Sequence, residues 1–173
     1  MKRSQLEDLL RELARLLRKQ EVAMIGSQCV HAATDTPPAE VLMSRECDIL
    51  LEDSDPARER IDAELGMASR YREEHGTFVD TVPPTFPFLP DGWEQRANLL
   101  AAGDMKTRCL ELHDLVLSKL AAGRLKDNEL IAALVHNKLV DVETLRARIA
   151  SVADFHMRAI LLARLQIVLE NVD

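Results

Sequence analysis

Aromatic residues, long apolar runs and secretory features are scarce in this sequence, and each shortage excludes a class of protein. Phe, Trp and Tyr make up only 3 % of the 173 residues, so a core must be built from aliphatic side chains. No uncharged apolar stretch of about 18 residues occurs, which excludes a membrane-spanning helix. The first twenty residues carry acids and bases throughout, unlike a secretory signal, and we therefore expect a cytoplasmic protein.

Cysteine is also rare. Cys29, Cys47 and Cys109 lie far apart, and neither a CxxC nor an HExxH motif occurs. This spacing argues against a disulfide framework and against a structural zinc site.

The charge is acidic overall but unevenly distributed. The formal net charge is −7, which argues against general coating of nucleic acid. Residues 40–80 are predominantly acidic, whereas residues 105–126 are predominantly basic. An acidic and a basic segment could together bracket a polyanion with its metal ions; the alternative is that both are solvated faces of the fold.

The hydrophobic pattern predicts strands first and helices later. Leucines at helical spacing predict a helix over residues 4–19, with Ser4 and Glu7 as a capping box. Short apolar runs bounded by turn residues predict five strands. Their ranges are 22–25, 45–51, 77–82, 97–101 and 108–112.

Helical patterns fill most of the remaining chain. Residues 28–33 and 55–65 fit short helices, and residues 113–171 fit a helical array with breaks near Gly123, Lys138 and Ser151. These elements predict an α+β fold. We expect a mixed sheet flanked by helices in residues 1–112, and a helical region in residues 113–173 packed on that core.

Gly26 and Ser27 lie between a predicted strand and a predicted short helix. A glycine allows close approach of a phosphate, and the first turn of a helix offers free N–H groups. The alternative is that Ser27 is simply a helix N-cap.

Three carboxylates fall on predicted strands. Glu46 and Asp48 alternate with apolar residues and so share one face of their strand. Mg²⁺ would relieve the repulsion between them. Asp80 could complete a metal cluster and accept a proton from an attacking hydroxyl. The alternatives are a solvent-facing strand end for the pair and backbone hydrogen bonding for Asp80.

A basic cluster follows on the predicted helices. Lys119 falls inside the apolar arc of its helix, so its ammonium group either extends to solvent or points into an anionic site. Arg124, Lys126 and Asp127 follow closely. The alternative is a basic helix end that complements the helix dipole.

Four segments resemble a family of bacterial nucleotidyltransferases, DUF6036, within the nucleotidyltransferase superfamily that has the polymerase-β-like fold. The segments are IGSQ (25–28), MSRECDI (43–49), LPDGWEQR (89–96) and CLELHDLVLSKLAAGRLKD (109–127). The resemblance covers roughly residues 20–150. It implies a relationship to AbiEii-type toxins of toxin–antitoxin systems, and hence a cognate antitoxin as a partner.

The resemblance also implies roles for individual residues. Gly26 and Ser27 would hold nucleotide phosphates. Glu46 and Asp48 would bind two Mg²⁺ ions, and Asp80 would be the base or a further metal ligand. The nucleotidyltransferase superfamily usually has Asp where this chain has Glu46, which lengthens the reach of that carboxylate by one methylene.

In the AbiEii-type relatives, a lysine and an Arg/Lys-Asp cluster face the nucleotide, which corresponds to Lys119, Arg124 and Asp127 here. The implied reaction moves a nucleoside monophosphate from an NTP to a hydroxyl or phosphate of RNA, protein or a small molecule. The alternative is a protein of this fold that binds a nucleotide or a partner without turnover.

A third hypothesis is a protein-interaction role for the C-terminal helices. Leu161, Leu162, Leu165 and Val168 form an apolar stripe, which predicts either packing onto the chain's own core or an oligomer contact.

Overall fold

The computed structural model describes residues 1–17 and 21–170, and it confirms the α+β class. Strands alternate with short helices up to residue 109, and helices follow to the end of this range. The elements are α1 (Arg3–Leu17), β1 (Glu21–Met24), a 3-10 helix (Ser27–Ala32), α2 (Ala39–Met43), β2 (Glu46–Leu50), α3 (Arg58–Leu65), α4 (Arg70–His75), β3 (Phe78–Val82), α5 (Trp93–Arg96), β4 (Asn98–Ala102), β5 (Met105–Cys109), α6 (Leu112–Ala122), α7 (Leu125–His136), α8 (Val142–Ser151) and α9 (Phe155–Leu169).

The five strands form one mixed sheet in the order β3-β2-β1-β5-β4. β1 is antiparallel to β2 and parallel to β5, while β2 is parallel to β3. β4 and β5 form an antiparallel hairpin. Because β1 lies at the centre of the sheet, the chain that leaves its C-terminal end is surrounded by other elements.

The first helix covers part of the sheet with its leucine face, as its spacing predicts. The leucines at 6, 9, 10, 13 and 17 are buried, and α1 contacts α3, β4 and β5. The predicted capping box is wrong, because the helix begins at Arg3 and Ser4 lies inside it. The Glu7 carboxylate instead pairs with Arg3 and Arg11.

Two other predicted boundaries are wrong because side chains cap the backbone in the loops. The fifth strand ends at Cys109, and α6 begins at Leu112 because the Glu111 carboxylate accepts a hydrogen bond from His113 N–H. The helix predicted from residue 55 begins only at Arg58, since the Asp55 carboxylate accepts from Ala57 N–H in a preceding turn. The short helices α2, α4 and α5 have no periodic signal in the sequence.

The C-terminal helices follow the predicted breaks. Gly123 and Ser151 mark ends of helices, and Lys138 has a positive φ of 57° between α7 and α8. On α9, Leu161, Leu165 and Val168 are buried against the chain's own core, whereas Leu162 is 45 % exposed. The predicted helix ends at residues 19 and 171 lie outside the described residues. The division into residues 1–112 and 113–173 stays a prediction.

A network of ion pairs around the buried Asp114 carboxylate links α5, α6 and α8. The Asp114 carboxylate is fully buried and accepts hydrogen bonds from Arg96 Nε (2.8 Å) and Arg148 Nη1 (2.7 Å). Arg148 also pairs with Glu111. His113 Nδ1 lies 2.6 Å from Glu111 Oε1, and His113 Nε2 accepts a hydrogen bond from the backbone N–H of Asp141, the N-cap of α8. These contacts join the end of α5 to α6 and α8.

No helix in the described part of the chain is long and apolar enough to cross a membrane.

Candidate functional site

The turn after β1 brings Gly26 into direct contact with Asp48. β1 and β2 are neighbours, and Ile25 N–H donates to the Asp48 carbonyl at 3.0 Å. A Cβ at Gly26 would lie 1.6 Å from Asp48 Oδ2 and 2.6 Å from its Cγ. Only glycine therefore leaves room for the Asp48 carboxylate in this position.

The register of β2 and β3 places two carboxylates side by side. Asp48 pairs directly with Asp80 across the parallel strands, and side chains opposite each other point to the same face. Glu46 lies two residues before Asp48 on that face, and Cys47 and Ile49 are buried on the other. The predicted grouping of Glu46, Asp48 and Asp80 on one face is what the strand register produces.

Burial and mutual repulsion disfavour the charged forms of two of these groups. Burial raises the pKa of Asp48 from 3.8 to about 6, with the charges of Glu46 and Asp80 adding to the rise and those of Lys119 and Arg124 opposing it. The pKa of Asp80 is also raised, first by burial and then by the charge of Glu46. Among the described residues, the positive charges near these carboxylates therefore do not fully offset burial and mutual repulsion.

The basic side chains from the helices face these carboxylates. Lys119 Nζ lies 3.0 Å from Asp127 Oδ1, and Arg124 Nε donates to Asp127 Oδ2 at 2.8 Å. The side chains of Lys119 and Asp127 are only 11 % and 4 % exposed. The hydrogen bond that Arg124 donates to Asp127 raises the pKa of Arg124, and the charges of Asp127, Asp48 and Glu46 add to the rise against the effect of burial. Asp127 thus orients the Lys119 ammonium and the Arg124 guanidinium, and each of its carboxylate oxygens contacts one of them.

One cavity of about 400 Å³ connects the two charged groups. Gly26, Asp48 and Asp80 lie on its sheet side, and Lys119 and Arg124 lie on its helix side. The rest of its wall is mostly apolar and includes Phe86, Phe88 and Met157. A cavity of this size, with both charged and apolar side chains in its wall, has the dimensions of a small-molecule site.

The donor set suits a hard divalent cation. Carboxylate oxygens are the ligands that Mg²⁺ prefers, and one or two of them suffice when water and phosphate complete the shell. Among residues 1–17 and 21–170, no group of three or more His, Cys, Asp or Glu side chains is arranged to hold a metal ion. Glu46 Oε1 lies 3.5 Å from Lys126 Nζ. The metal-binding roles of Glu46, Asp48 and Asp80 stay predictions.

The structure differs from one alternative considered for the glycine turn, that Ser27 is the N-cap. Gly26, and not Ser27, is the N-cap of the 3-10 helix. The Ser27 hydroxyl is buried, does not line the cavity, and lies 3.3 Å from Gln28 Nε2. A phosphate-binding role for Ser27 therefore stays a prediction, whereas Gly26 lies at the cavity wall. His31 Nε2 lies 3.1 Å from the Met1 carbonyl.

Sequence reasoning missed the contribution of the proline-rich loop and of α9. Phe86 and Phe88 come from residues 83–92, and Met157 comes from the first turn of α9. Sequence reasoning also missed Arg58, whose positive charge acts to lower the pKa of Asp80 and whose Nη2 donates to the Thr81 carbonyl at 2.7 Å. The one signal available in the sequence was the placement of two of the four phenylalanines among closely spaced prolines.

Comparison with known families agrees with the geometry. The model of the DUF6036 family, described as a nucleotidyltransferase of unknown function, matches residues 4–162. No curated protein and no solved structure matches the chain. The family match spans the sheet, the loop and the helices that line the cavity, and so the chain belongs to the DUF6036 family of nucleotidyltransferases.

Proposed function

We propose that the chain is a Mg²⁺-dependent nucleotidyltransferase that moves a nucleoside monophosphate from an NTP to a hydroxyl or phosphate acceptor. The observation that carries this proposal is the single cavity that has Asp48 and Asp80 in register on one side and Lys119 and Arg124 on the other. Family membership supports the reaction class. The identity of the acceptor, whether RNA, protein or a small molecule, is part of the proposal.

The metal would be held by Asp48, Asp80 and Glu46. When bound, Mg²⁺ would neutralise charge on the transferring phosphate and on the leaving pyrophosphate. In the proposed arrangement, the ammonium group of Lys119 and the guanidinium of Arg124 bind the β- and γ-phosphates, since both point into the cavity from the helix side.

The proposed chemistry forms one bond and breaks one. The acceptor oxygen forms a bond to the α-phosphorus, and the bond from that phosphorus to the β-phosphate oxygen breaks, releasing pyrophosphate. Asp80 accepts the proton of an acceptor hydroxyl, because it is the more exposed of the two in-register carboxylates and its pKa is raised. Gly26 leaves room for the Asp48 carboxylate, which a Cβ at this position would displace.

A radiolabel assay tests the proposal. Protein is incubated with Mg²⁺ and each NTP labelled at the α-phosphate, with total tRNA or with the protein itself as acceptor. We expect incorporation by the wild type and none by Asp80→Asn or Glu46→Ala. Glu94→Ala, which removes an exposed carboxylate outside the cavity, is the matched control and should retain incorporation. Equal signal from all four proteins would exclude these carboxylates from the reaction.

The second candidate is nucleotide binding without turnover. Two observations favour it: the contact of Glu46 with Lys126, and the substitution of Glu for the usual Asp at position 46. Titration calorimetry with ATP and CTP in the presence of Mg²⁺, beside the label assay, separates the two. Binding without incorporation by any acceptor tested would favour this candidate. A cognate antitoxin and a homo-oligomer remain proposals for either function.

A further inference from the structure

Exposed aromatic side chains are rare in this chain, and one of them stands at the cavity. The sequence contains four phenylalanines, one tryptophan and one tyrosine. Phe86 is 81 % exposed and lines the cavity, and Phe88 lines it two residues further on. An exposed apolar ring that borders a charged cavity is suited to contact with a flat ligand group.

The loop that carries these rings is stiff without a ligand. Prolines at 83, 84, 87 and 90 fix the backbone around both phenylalanines. Phe86 N–H donates to the Pro83 carbonyl at 3.0 Å, which closes a turn. Because the loop is already ordered, a ring that stacks on Phe86 meets little additional entropic cost.

The wall around the rings offers few hydrogen bonds. Pro87 has no N–H, and Val82, Ala122 and Met157 present apolar side chains. Two carbonyls of α6, those of Leu120 and Ala121, already accept hydrogen bonds from Arg164 Nη1 at 2.6 and 2.7 Å. The cavity wall therefore offers a ligand mostly apolar contacts, and its polar side chains are Ser118 and the charged groups.

We propose that Phe86 and Phe88 bind the nucleobase of the NTP by stacking, so that the site prefers purine nucleotides but does not distinguish adenine from guanine. The inference rests on the proposed function, since it needs the phosphates at the end of the cavity that holds Lys119 and Arg124. Purines expose a larger π-surface than pyrimidines and stack more strongly, and stacking does not read exocyclic groups.

Calorimetry with five ligands tests this. The wild type is titrated with ATP, GTP, CTP, UTP and inorganic tripolyphosphate in the presence of Mg²⁺. We expect ATP and GTP to bind within about threefold of each other and about tenfold more tightly than CTP and UTP. Tripolyphosphate, which has no base, reports on the phosphate end alone.

Three variants test whether Phe86 is the residue that binds the nucleobase. Phe86→Ala should weaken ATP binding about tenfold and leave tripolyphosphate binding unchanged, while Phe86→Trp should retain ATP binding. Phe155→Ala is the matched control, because Phe155 is equally exposed (79 %) but does not line the cavity. Circular dichroism melts confirm that each variant is folded.

The outcomes are distinguishable. If wild-type protein binds tripolyphosphate but Phe86→Ala binds ATP normally, stacking is refuted and the proposed function stands. Equal weakening by Phe155→Ala, or a preference above tenfold between ATP and GTP, also refutes it. If the wild type binds neither nucleotide nor tripolyphosphate, the proposed function and this inference both fail.

Discussion

Replacing Asp48 with asparagine should stabilise the metal-free protein while it abolishes catalysis. The Asp48 carboxylate is held against Gly26 and beside Asp80, where burial and then the charge of Glu46 raise its pKa from 3.8 to about 6. An acid whose pKa is raised in the folded state binds its proton more tightly there than in the unfolded chain. Ionisation of Asp48 therefore destabilises the folded state, and this loss of stability develops between pH 3.8 and about 6 and is complete above that range.

The size of the effect follows from the pKa shift. About two pKa units at 1.36 kcal/mol each give about 3 kcal/mol of destabilisation well above pH 6. Asparagine has the shape of the protonated acid and carries no charge, so it should recover most of this free energy. For a chain of this length, that corresponds to a rise in Tm of roughly 5–10 °C.

Thermal melts of Asp48→Asn and wild type, in a chelator and well above pH 6, measure the difference. Asp104→Asn makes the same chemical change in the exposed β4–β5 turn and should leave Tm within about 1–2 °C of wild type. Saturating Mg²⁺ should reduce the difference in Tm between Asp48→Asn and the wild type, because it should stabilise only the wild type. A Tm of Asp48→Asn equal to or below that of wild type in chelator would refute the argument that uncompensated charge accumulates at this site.

Three further substitutions probe the same framework. Gly26→Ala would force its Cβ onto the Asp48 carboxylate, so we expect calorimetry to show loss of Mg²⁺-dependent nucleotide binding in a folded protein; unchanged binding would contradict the close contact. Burial acts to raise the pKa of Glu111, but the hydrogen bonds and charges of His113 and Arg148 outweigh burial and lower this pKa to about 2. Stability from Glu111 is thus present above pH 4.5 and lost as pH falls towards 2, by about 3 kcal/mol, and Glu111→Gln should flatten denaturant-measured stability over that range. Arg148→Met removes one ion-pair partner of the buried Asp114 carboxylate. We expect urea unfolding to show a loss of about 3–5 kcal/mol in the free energy of unfolding; a loss below 1 kcal/mol would contradict the stabilising role of this ion pair.

The sequence predicted those parts of the fold that rest on periodicity. Alternation of apolar and acidic residues around Cys47 placed both carboxylates of β2 on one face, and leucine spacing defined the buried face of α1. These patterns succeed because burial of one face dominates the free energy of each element.

Details set by single hydrogen bonds could not be predicted in the same way. Glu111 caps α6 and converts the expected end of a strand into the start of a helix. The turn after Asp55 delays α3 by one turn in a similar manner. Such competition involves about 1 kcal/mol and leaves no periodic trace.

The candidate site was predictable only in part. Resemblance to a family indicated the carboxylates, Lys119 and Arg124, and strand register explains why Asp48 and Asp80 meet. The aromatic wall was missed, because a loop without repeating structure does not reveal where its side chains point. The pairing of Asp127 with both cations likewise depends on how α6 and α7 pack.

The most direct test of the account follows two phosphorus labels through the reaction. ATP labelled at the α-phosphate and ATP labelled at the γ-phosphate are incubated separately with the protein, Mg²⁺ and total tRNA or protein acceptors. For nucleotidyl transfer, we expect the α-label to become attached to an acceptor and the γ-label to leave as pyrophosphate. Transfer of the γ-label to an acceptor, or release of γ-label as free phosphate without α-transfer, would contradict it.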